Sequence, residues 1–157
     1  MINNISEDIV NKLLEDIKTD KIQKIVLGAV ILIENNSPLL LKRTQNDFMG
    51  GLVELPSGTL EPQEDMIMGL IREVKEETGL DIKSIDFFIG SFDYLSSSGK
   101  KTRQINFKVT TYEKNIKLSE EHDNYFIYSI NSKEYENLNI SSKTKNIVEK
   151  AILLNNK

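Results

Sequence analysis

The first periodic signal in the chain has helical spacing. Ile5, Ile9, Leu13 and Ile17 recur every four residues with Val10 and Leu14 beside them, and Ser6, Glu7 and Asp8 provide a capping hydroxyl and an acidic first turn. This predicts an N-terminal helix at about residues 6–18, its apolar stripe packing on the chain's own sheet or across a dimer. From Ile22 to Ile33 the pattern changes to a run rich in β-branched residues, broken by Glu34-Asn35-Asn36-Ser37 and resumed at Pro38-Leu39-Leu40-Leu41. Two strands joined by a hairpin are expected there. Leu52 to Leu55 reads as a short strand stopped by Pro56, and Ser57-Gly58 as a turn.

Helical periodicity returns with Ile67, Leu70, Ile71 and Val74, preceded by Asp65 as N-cap and followed by Gly79, a residue suited to a left-handed helix end. Gly69 lies inside this helix. Glycine there costs about 1 kcal/mol relative to alanine, so the position implies close approach by the backbone of another segment, the preceding loop being expected. Further on, Ile85 to Leu95 and Arg103 to Tyr112 read as strands joined across Ser96-Ser97-Ser98-Gly99, with Ile105, Phe107 and Val109 on one face of the second. Tyr125 to Ile130 is another short strand. Ser141 or Ser142 opens a final helix that turns Ile147, Val148, Ala151 and Ile152 inward. The order of elements indicates an α+β domain rather than alternating βαβ units, and no repeat, low-complexity block or linker divides residues 1–157.

Composition narrows the chemistry. The chain has 157 residues, 39% of them apolar, enough for one core and with no run approaching a membrane span. Its N-terminus is acidic and amphipathic, unlike a secretory or transit peptide, so a cytoplasmic location is expected. There is no cysteine and a single histidine, which excludes disulfides, thiolate zinc sites, cysteine nucleophiles and multi-histidine metal centres. A formal net charge of −4 argues against binding long nucleic acid. A small polyphosphate remains compatible, because its charge can be met by a bound divalent ion.

That ion has an evident host. Glu73, Glu76 and Glu77 stand three and four residues apart, so on a helix their carboxylates share a face within one turn. Like charges so placed repel unless a cation lies between them, and oxygen ligands suit a hard divalent ion, Mg²⁺ or Mn²⁺. The plainer reading of such a charge run is a solvated helix face.

The residues from Gly58 to Leu80 carry a resemblance that decides against the plainer reading. Gly58, Glu64, Arg72, Glu73, Glu76, Glu77 and Gly79, with aliphatic Val74 and Leu80, fill every position of the Nudix box, G-x5-E-x7-R-E-U-x-E-E-x-G-U, where U is a bulky aliphatic residue. The preceding Gly51-Leu52-Val53-Glu54-Leu55-Pro56-Ser57-Gly58 resembles the family's G-x-W-E-L-P-G-G approach, without the tryptophan and with Ser57 replacing a glycine. The resemblance implies an α/β/α sandwich with a mixed central sheet, and Mg²⁺- or Mn²⁺-dependent hydrolysis of a nucleoside diphosphate linked to another moiety. It implies Glu73, Glu76 and Glu77 as metal ligands, one of them doubling as general base, and the Ser57 carbonyl as a further ligand. Arg72 is then the residue that orients a ligating carboxylate. Glu64 binds an auxiliary ion or substrate, or only favours the helix dipole.

Beyond the box, Ser119-Glu120-Glu121-His122-Asp123-Asn124-Tyr125 resembles an E-H-x-x-Y/W stretch of the family and marks Glu121, with Glu120 next, as a distant fourth carboxylate. Lys100, Lys101 and Arg103 are candidates for meeting phosphate or base, Arg103 foremost, or else protect a hairpin edge. Phe48, Phe92, Tyr94 and Phe107 are candidates for stacking a base, although each also suits a core. The tyrosine of dinucleoside-polyphosphate members and the proline of ADP-ribose members are absent from Leu95-Ser96-Ser97-Ser98, and the coenzyme A pattern is missing. A nucleoside triphosphate, including an oxidised one, is thus the favoured substrate, with a nucleotide sugar or ADP-ribose as alternatives. A non-catalytic nucleotide sensor is the alternative from another class, but such proteins usually have eroded box glutamates. The small nucleotide is the expected partner of a monomer or homodimer.

Overall fold

The computed structural model describes residues 1–157 except Asp47 and Phe48, so the Phe48 candidate lies outside the described residues. In chain order the elements are β1 (Ile2–Asn3), α1 (Glu7–Thr19), β2 (Lys24–Glu34), β3 (Ser37–Arg43), β4 (Val53–Glu54), β5 (Ser57–Thr59), α2 (Met66–Thr78), β6 (Ile82–Leu95), β7 (Lys101–Thr111), β8 (His122–Ile127), α3 (Lys133–Glu136) and α4 (Ser142–Asn155). The strands form a mixed sheet in the order β1-β6-β7-β2-β3-β4, with β5 added to β2 and β8 to β3. Pairing is parallel between β2 and β7 and between β1 and β6, and antiparallel in the two hairpins β2–β3 and β6–β7.

The sheet separates two cores, which explains why β2 and β3 are nearly continuous apolar runs rather than alternating ones. Leu27, Ala29 and Ile31 of β2 and Leu39 and Leu41 of β3 face one core with Met66, Leu70 and Val74 of α2. Val30 and Leu40 face the other, with Ile147, Val148, Ala151 and Ile152 of α4 and Tyr135 of α3. The result is the expected α/β/α sandwich. On β7, Ile105, Phe107 and Val109 are fully buried in the first core, and Phe107 meets Phe88 edge-on at 5.9 Å between ring centroids. Phe107 is therefore a core residue.

The N-terminal helix folds back on the same sheet. Val10, Leu13 and Ile17 pack against the first core, whereas Ile9 and Leu14 remain exposed. Ile5, Leu13 and Ile17 of the expected four-residue stripe thus face inward, and Val10 takes the inward place of Ile9. Ser6 caps this helix through Ile9 N–H, Asp65 caps α2 through Met68 N–H, and Ser141 caps α4 through Thr144 N–H.

Three local differences from the sequence reading bear on the site. Ser57-Gly58, expected as a turn, is the strand β5, because Pro56 and Thr59 bracket a segment whose register on β2 pairs Ser57 with Gly28 and Thr59 with Val26. β8 begins at His122, three residues earlier than expected. It pairs with β3 from Arg43↔His122 onwards, through an irregularity that leaves Asp123 unpaired. Gly69 does meet the preceding loop, but through side chains: a Cβ there would lie 2.7 Å from Leu60 Cδ1 and 3.0 Å from Glu64 Oε1, with Leu27 of β2 close behind. No helix among the described residues is long and apolar enough to cross a membrane.

Because Phe107 is wholly enclosed at the centre of the sheet, Phe107→Ala should lower the free energy of unfolding by about 3–5 kcal/mol, measured by urea titration followed by circular dichroism.

Candidate metal and diphosphate site

The buried stripe of α2 comprises Met66, Gly69, Leu70, Glu73, Val74, Glu77 and Thr78. Two carboxylates therefore occupy positions at which helical periodicity normally places apolar residues. Glu73 is 9% exposed and Glu77 4%, while the Glu76 side chain, one position round, is 57% exposed. The three glutamates are neighbours in sequence but differ sharply in environment.

Glu77 is the most enclosed. Its Oε1 accepts the Ser57 backbone N–H at 2.7 Å, an interaction available only because β5 runs along β2 and stops below the helix. Burial pushes its carboxyl group up to about 9, a rise opposed by the Ser57 N–H and reinforced by the negative charges of Glu54 and Glu121. Its Oε2 lies 3.5 Å from Nδ1 of His122, which is buried and has no hydrogen-bond partner among the described residues. The other ring nitrogen, Nε2, is 2.8 Å from Glu54 Oε2, the same oxygen that accepts Arg43 Nη1 at 2.9 Å. A chain of polar contacts thus runs from Arg43 on β3 through Glu54 on β4 and His122 on β8 to Glu77.

Glu73 lies over Gly58. A Cβ at Gly58 would fall 1.7 Å from Glu73 Oε2, so the glycine of the box provides the space that the carboxylate occupies. The Glu73 carboxyl is also raised, by burial first, against the lowering effect of Arg72. Arg72 is a hub. Its Nε and Nη2 bind both oxygens of Glu64 at 2.7 Å, Nη1 donates to Glu73 at 2.7 Å and to Glu76 at 3.2 Å, and Nη2 reaches the Thr59 carbonyl at 3.1 Å. The two bonds to one carboxylate are the planar, two-pronged geometry that lysine cannot reproduce. Those bonds, with the Glu61 N–H, hold Glu64 down to about 2. Arg72 fixes the loop before the helix to the helix face, and it does not touch Glu77.

Glu121 arrives from outside the box. The Thr44 N–H donates to its carbonyl at 3.2 Å, just before β8 joins β3, and one of its carboxylate oxygens falls within 4.8 Å of ligand atoms of both Glu77 and His122. Glu120 is exposed and belongs to no such cluster. Arg103 is committed elsewhere: it forms a two-pronged pair with Asp93 at 2.7 and 2.8 Å and a further ion pair with Asp20 at 2.9 Å. Lys101 donates to the Asp20 carbonyl. On β6, Phe92 and Tyr94 pack tilted at 6.1 Å, with Lys143 Nζ over Phe92 at 5.8 Å. The Tyr94 hydroxyl is raised by burial and then by the Glu54 charge, with Arg43 opposing, so it borders the Arg43–Glu54 pair.

Arg43, Glu54 and the central position of His122 have no place among the sequence-derived candidates. Glu54 had one signal, its position in the approach to the box, and His122 had its place beside Glu121.

The NUDIX domain family matches residues 24–146, from the start of β2 into α4. The chain belongs to the Nudix family. Over 63 residues it is 35% identical to an 8-oxo-dGTP diphosphatase of Proteus vulgaris, a match covering 40% of this chain and 56% of that protein. The MutT protein of Methanosarcina mazei superposes with a TM-score of 0.72 at 29% identity, covering 85% of this chain and 96% of that one. The NUDIX domain of Shewanella oneidensis NrtR, solved with ADP ribose, shares the fold at a TM-score of 0.66 and 16% identity, covering 94% and 97%. The Nudix box Gly58–Leu80 thus forms β5, the loop after it, α2 and the first residues beyond.

The raised carboxyl of Glu77 has a definite consequence for stability. Between its ordinary value of 4.5 and about 9, the folded chain retains a proton that the unfolded chain has released, so stability falls as pH rises across that window. The stabilisation is complete below the lower value and lost above the higher. In metal-free protein, the melting temperature should decline from pH 5 to pH 9. Glu77→Gln, which carries no charge, should flatten that decline and raise the melting temperature at pH 8 by roughly 2–4 °C per kcal/mol relieved, read by calorimetry.

Proposed function

We propose that this Nudix protein is a pyrophosphohydrolase that cleaves a diphosphate linkage in a nucleoside diphosphate linked to another moiety, with Mg²⁺ or Mn²⁺ as cofactor. A nucleoside triphosphate, including an oxidised one, is the favoured substrate. The observation that carries this reading is the burial of Glu77 beside Glu54 and Glu121, its hydrogen-bond and ion-pair contacts among the described residues being the Ser57 N–H and His122. Removing a carboxylate from water without a countercharge is costly, and a divalent ion at that position offsets the cost.

The donor set fits such an ion. In this reading Glu73, Glu76 and Glu77 are the ligands from the helix, Glu121 the ligand from the β8 approach, and the Ser57 carbonyl a neutral oxygen from β5. The ion supplies charge neutralisation for the diphosphate and a lowered pKa for bound water. The remaining work falls to the protein. Arg72 holds Glu73 and Glu76 at fixed separation and ties them to Glu64 and Thr59, so ligand geometry is set before substrate arrives. One glutamate accepts the proton of the attacking water. Glu76, the most exposed of the three, faces that solvent, and its single hydrogen bond to Arg72 leaves it the most adaptable. Glu64, fully engaged by Arg72, acts by anchoring the arginine. Tyr94, which feels the charges of Glu54 and Arg43, and Phe92 packed against it offer aromatic surface for a base. The 35% identity to an 8-oxo-dGTP diphosphatase supports the substrate class, and a complete set of box glutamates supports catalysis over a sensor role.

A panel of nucleoside triphosphates, nucleotide sugars, ADP-ribose and dinucleoside polyphosphates, incubated with Mg²⁺ or Mn²⁺ at mildly alkaline pH with products identified by mass, tests the proposal. Release of a nucleoside monophosphate from a triphosphate is expected. Absence of turnover across the panel, with nucleotide still bound, would establish the sensor reading instead. Glu76→Gln should reduce kcat by about 10²–10⁴-fold with the circular dichroism spectrum unchanged, since the side chain is largely in water. Gly58→Ala should displace the Glu73 carboxylate and weaken Mn²⁺ binding by at least about tenfold, measured by isothermal titration.

A further inference from the structure

His122 stands out because its two ring nitrogens have opposite fates. Nε2 meets Glu54 at 2.8 Å, and that carboxylate is itself held by Arg43. When Nε2 donates to Glu54, a neutral ring carries its lone pair on Nδ1. Nδ1 is buried and, among the described residues, without a hydrogen-bond partner, although the side chain is wholly enclosed. A buried nitrogen lone pair with nothing to accept is costly unless a ligand uses it.

Its surroundings specify that ligand. Glu77 Oε2 is 3.5 Å away, too far for a hydrogen bond of normal strength. It is, however, the separation of two donors on one cation: with ligand bonds of about 2.1 Å and angles near the tetrahedral or octahedral values, neighbouring donors lie roughly 3.0–3.5 Å apart. A Glu121 carboxylate oxygen completes a group of three potential ligands, all within 4.8 Å of one another. Glu77 Oε1 is occupied by the Ser57 N–H, which leaves Oε2 on the side of Nδ1. A carboxylate holding the far nitrogen of a metal-binding imidazole is the usual means of fixing its tautomer and ring orientation, and Glu54, fixed by Arg43, has that position.

We propose that His122 Nδ1, Glu77 and Glu121 form a mixed nitrogen–oxygen site for a divalent transition ion, so that one cation position of this protein is not an all-oxygen site. The inference rests on the reading of the glutamates as a metal centre and adds to it a ligand and a selectivity. Imidazole nitrogen strengthens the preference for Co²⁺, Ni²⁺ and Zn²⁺ over Mg²⁺, which is weaker at an all-carboxylate site. The irregularity at Asp123 gives β8 its part in this, because it sets His122 opposite Arg43 and turns the ring inward.

The single histidine makes the test direct. Protein labelled with ¹⁵N only at histidine and unlabelled protein are each loaded with Mn²⁺ and examined by electron spin-echo spectroscopy. Imidazole modulation at the ¹⁴N frequency in unlabelled protein, replaced by ¹⁵N coupling in labelled protein, is the expected result and requires no mutation. Bound Mn²⁺ with no histidine coupling in either sample overturns the proposal while leaving a carboxylate centre intact. No Mn²⁺ bound at all overturns both readings.

His122→Gln then separates ligation from support. Its amide nitrogen can still reach Glu54 from the Nε2 position, but it has no group in place of Nδ1. It should weaken Co²⁺ or Ni²⁺ by about tenfold or more in isothermal titration while changing Mg²⁺ affinity less. Equal losses for both ions, or none for either, count against the nitrogen ligand.

Discussion

A carboxylate in a place where a helix should bury an aliphatic side chain is the constraint around which the rest of this molecule is arranged. Glu77 sits one turn beyond Val74 on the inward stripe of α2, enclosed by β5 and β8, and is held by one backbone N–H. An isolated ionised carboxylate in such a place would cost many kcal/mol, and burial accordingly raises the Glu77 carboxyl to about 9, which favours its protonated form. Each neighbouring irregularity serves this position. β5 is a three-residue strand that exists to bring the Ser57 N–H beneath the helix, and Gly58 next to it leaves room for Glu73. The β3–β8 irregularity beside Asp123 accompanies a histidine turned into the interior.

Charge is distributed unequally across the site, and the inequality is informative. Arg72 satisfies Glu64, Glu73 and Glu76 together, a network that keeps its shape without a bound ion. Ion pairs of this kind, partly buried at Glu64 and Glu73 and exposed at Glu76, contribute little net stability, because desolvation and solvent screening offset much of the attraction. Their value here is geometric. On the other side of the helix, Arg43 satisfies Glu54, and through His122 that pair reaches Glu77 without neutralising it. The carboxyl groups left without an arginine partner among these contacts are therefore Glu77, which holds its proton, and its neighbour Glu121.

Much of the fold was legible in the chain because it depends on local rules. The caps at Ser6, Asp65 and Ser141, the left-handed end at Gly79 and the inward residues of α4 all follow from spacing and side-chain chemistry within one element. The hairpins were equally clear, since their turn residues interrupt apolar runs. What misled was every feature set by a partner distant in sequence. Ser57-Gly58 has turn composition but is a strand because β2 offers its edge. β8 starts early because β3 pairs with it from Arg43. Ile9 lies on the four-residue pattern, but the docking angle of α1 turns Val10 inward in its place. The ion pairs of Arg103 with Asp93 and Asp20 are likewise contacts that no local pattern shows.

The sequence alone determined the family, through the fixed spacing from Gly58 to Leu80, and with it that glutamates would gather on one helical turn, because helical geometry needs no further information to bring positions 73, 76 and 77 together. It also determined that a single histidine was available. The tertiary structure decided that these glutamates are unlike one another: Glu76 in water, Glu73 fixed by Arg72 over a glycine, and Glu77 enclosed opposite the free nitrogen of His122. Burial, and the charges that strands from elsewhere in the chain bring against a side chain, are properties of packing. No local pattern encodes them, so the chemistry of the site appears only once β3, β4, β5 and β8 have closed around the helix.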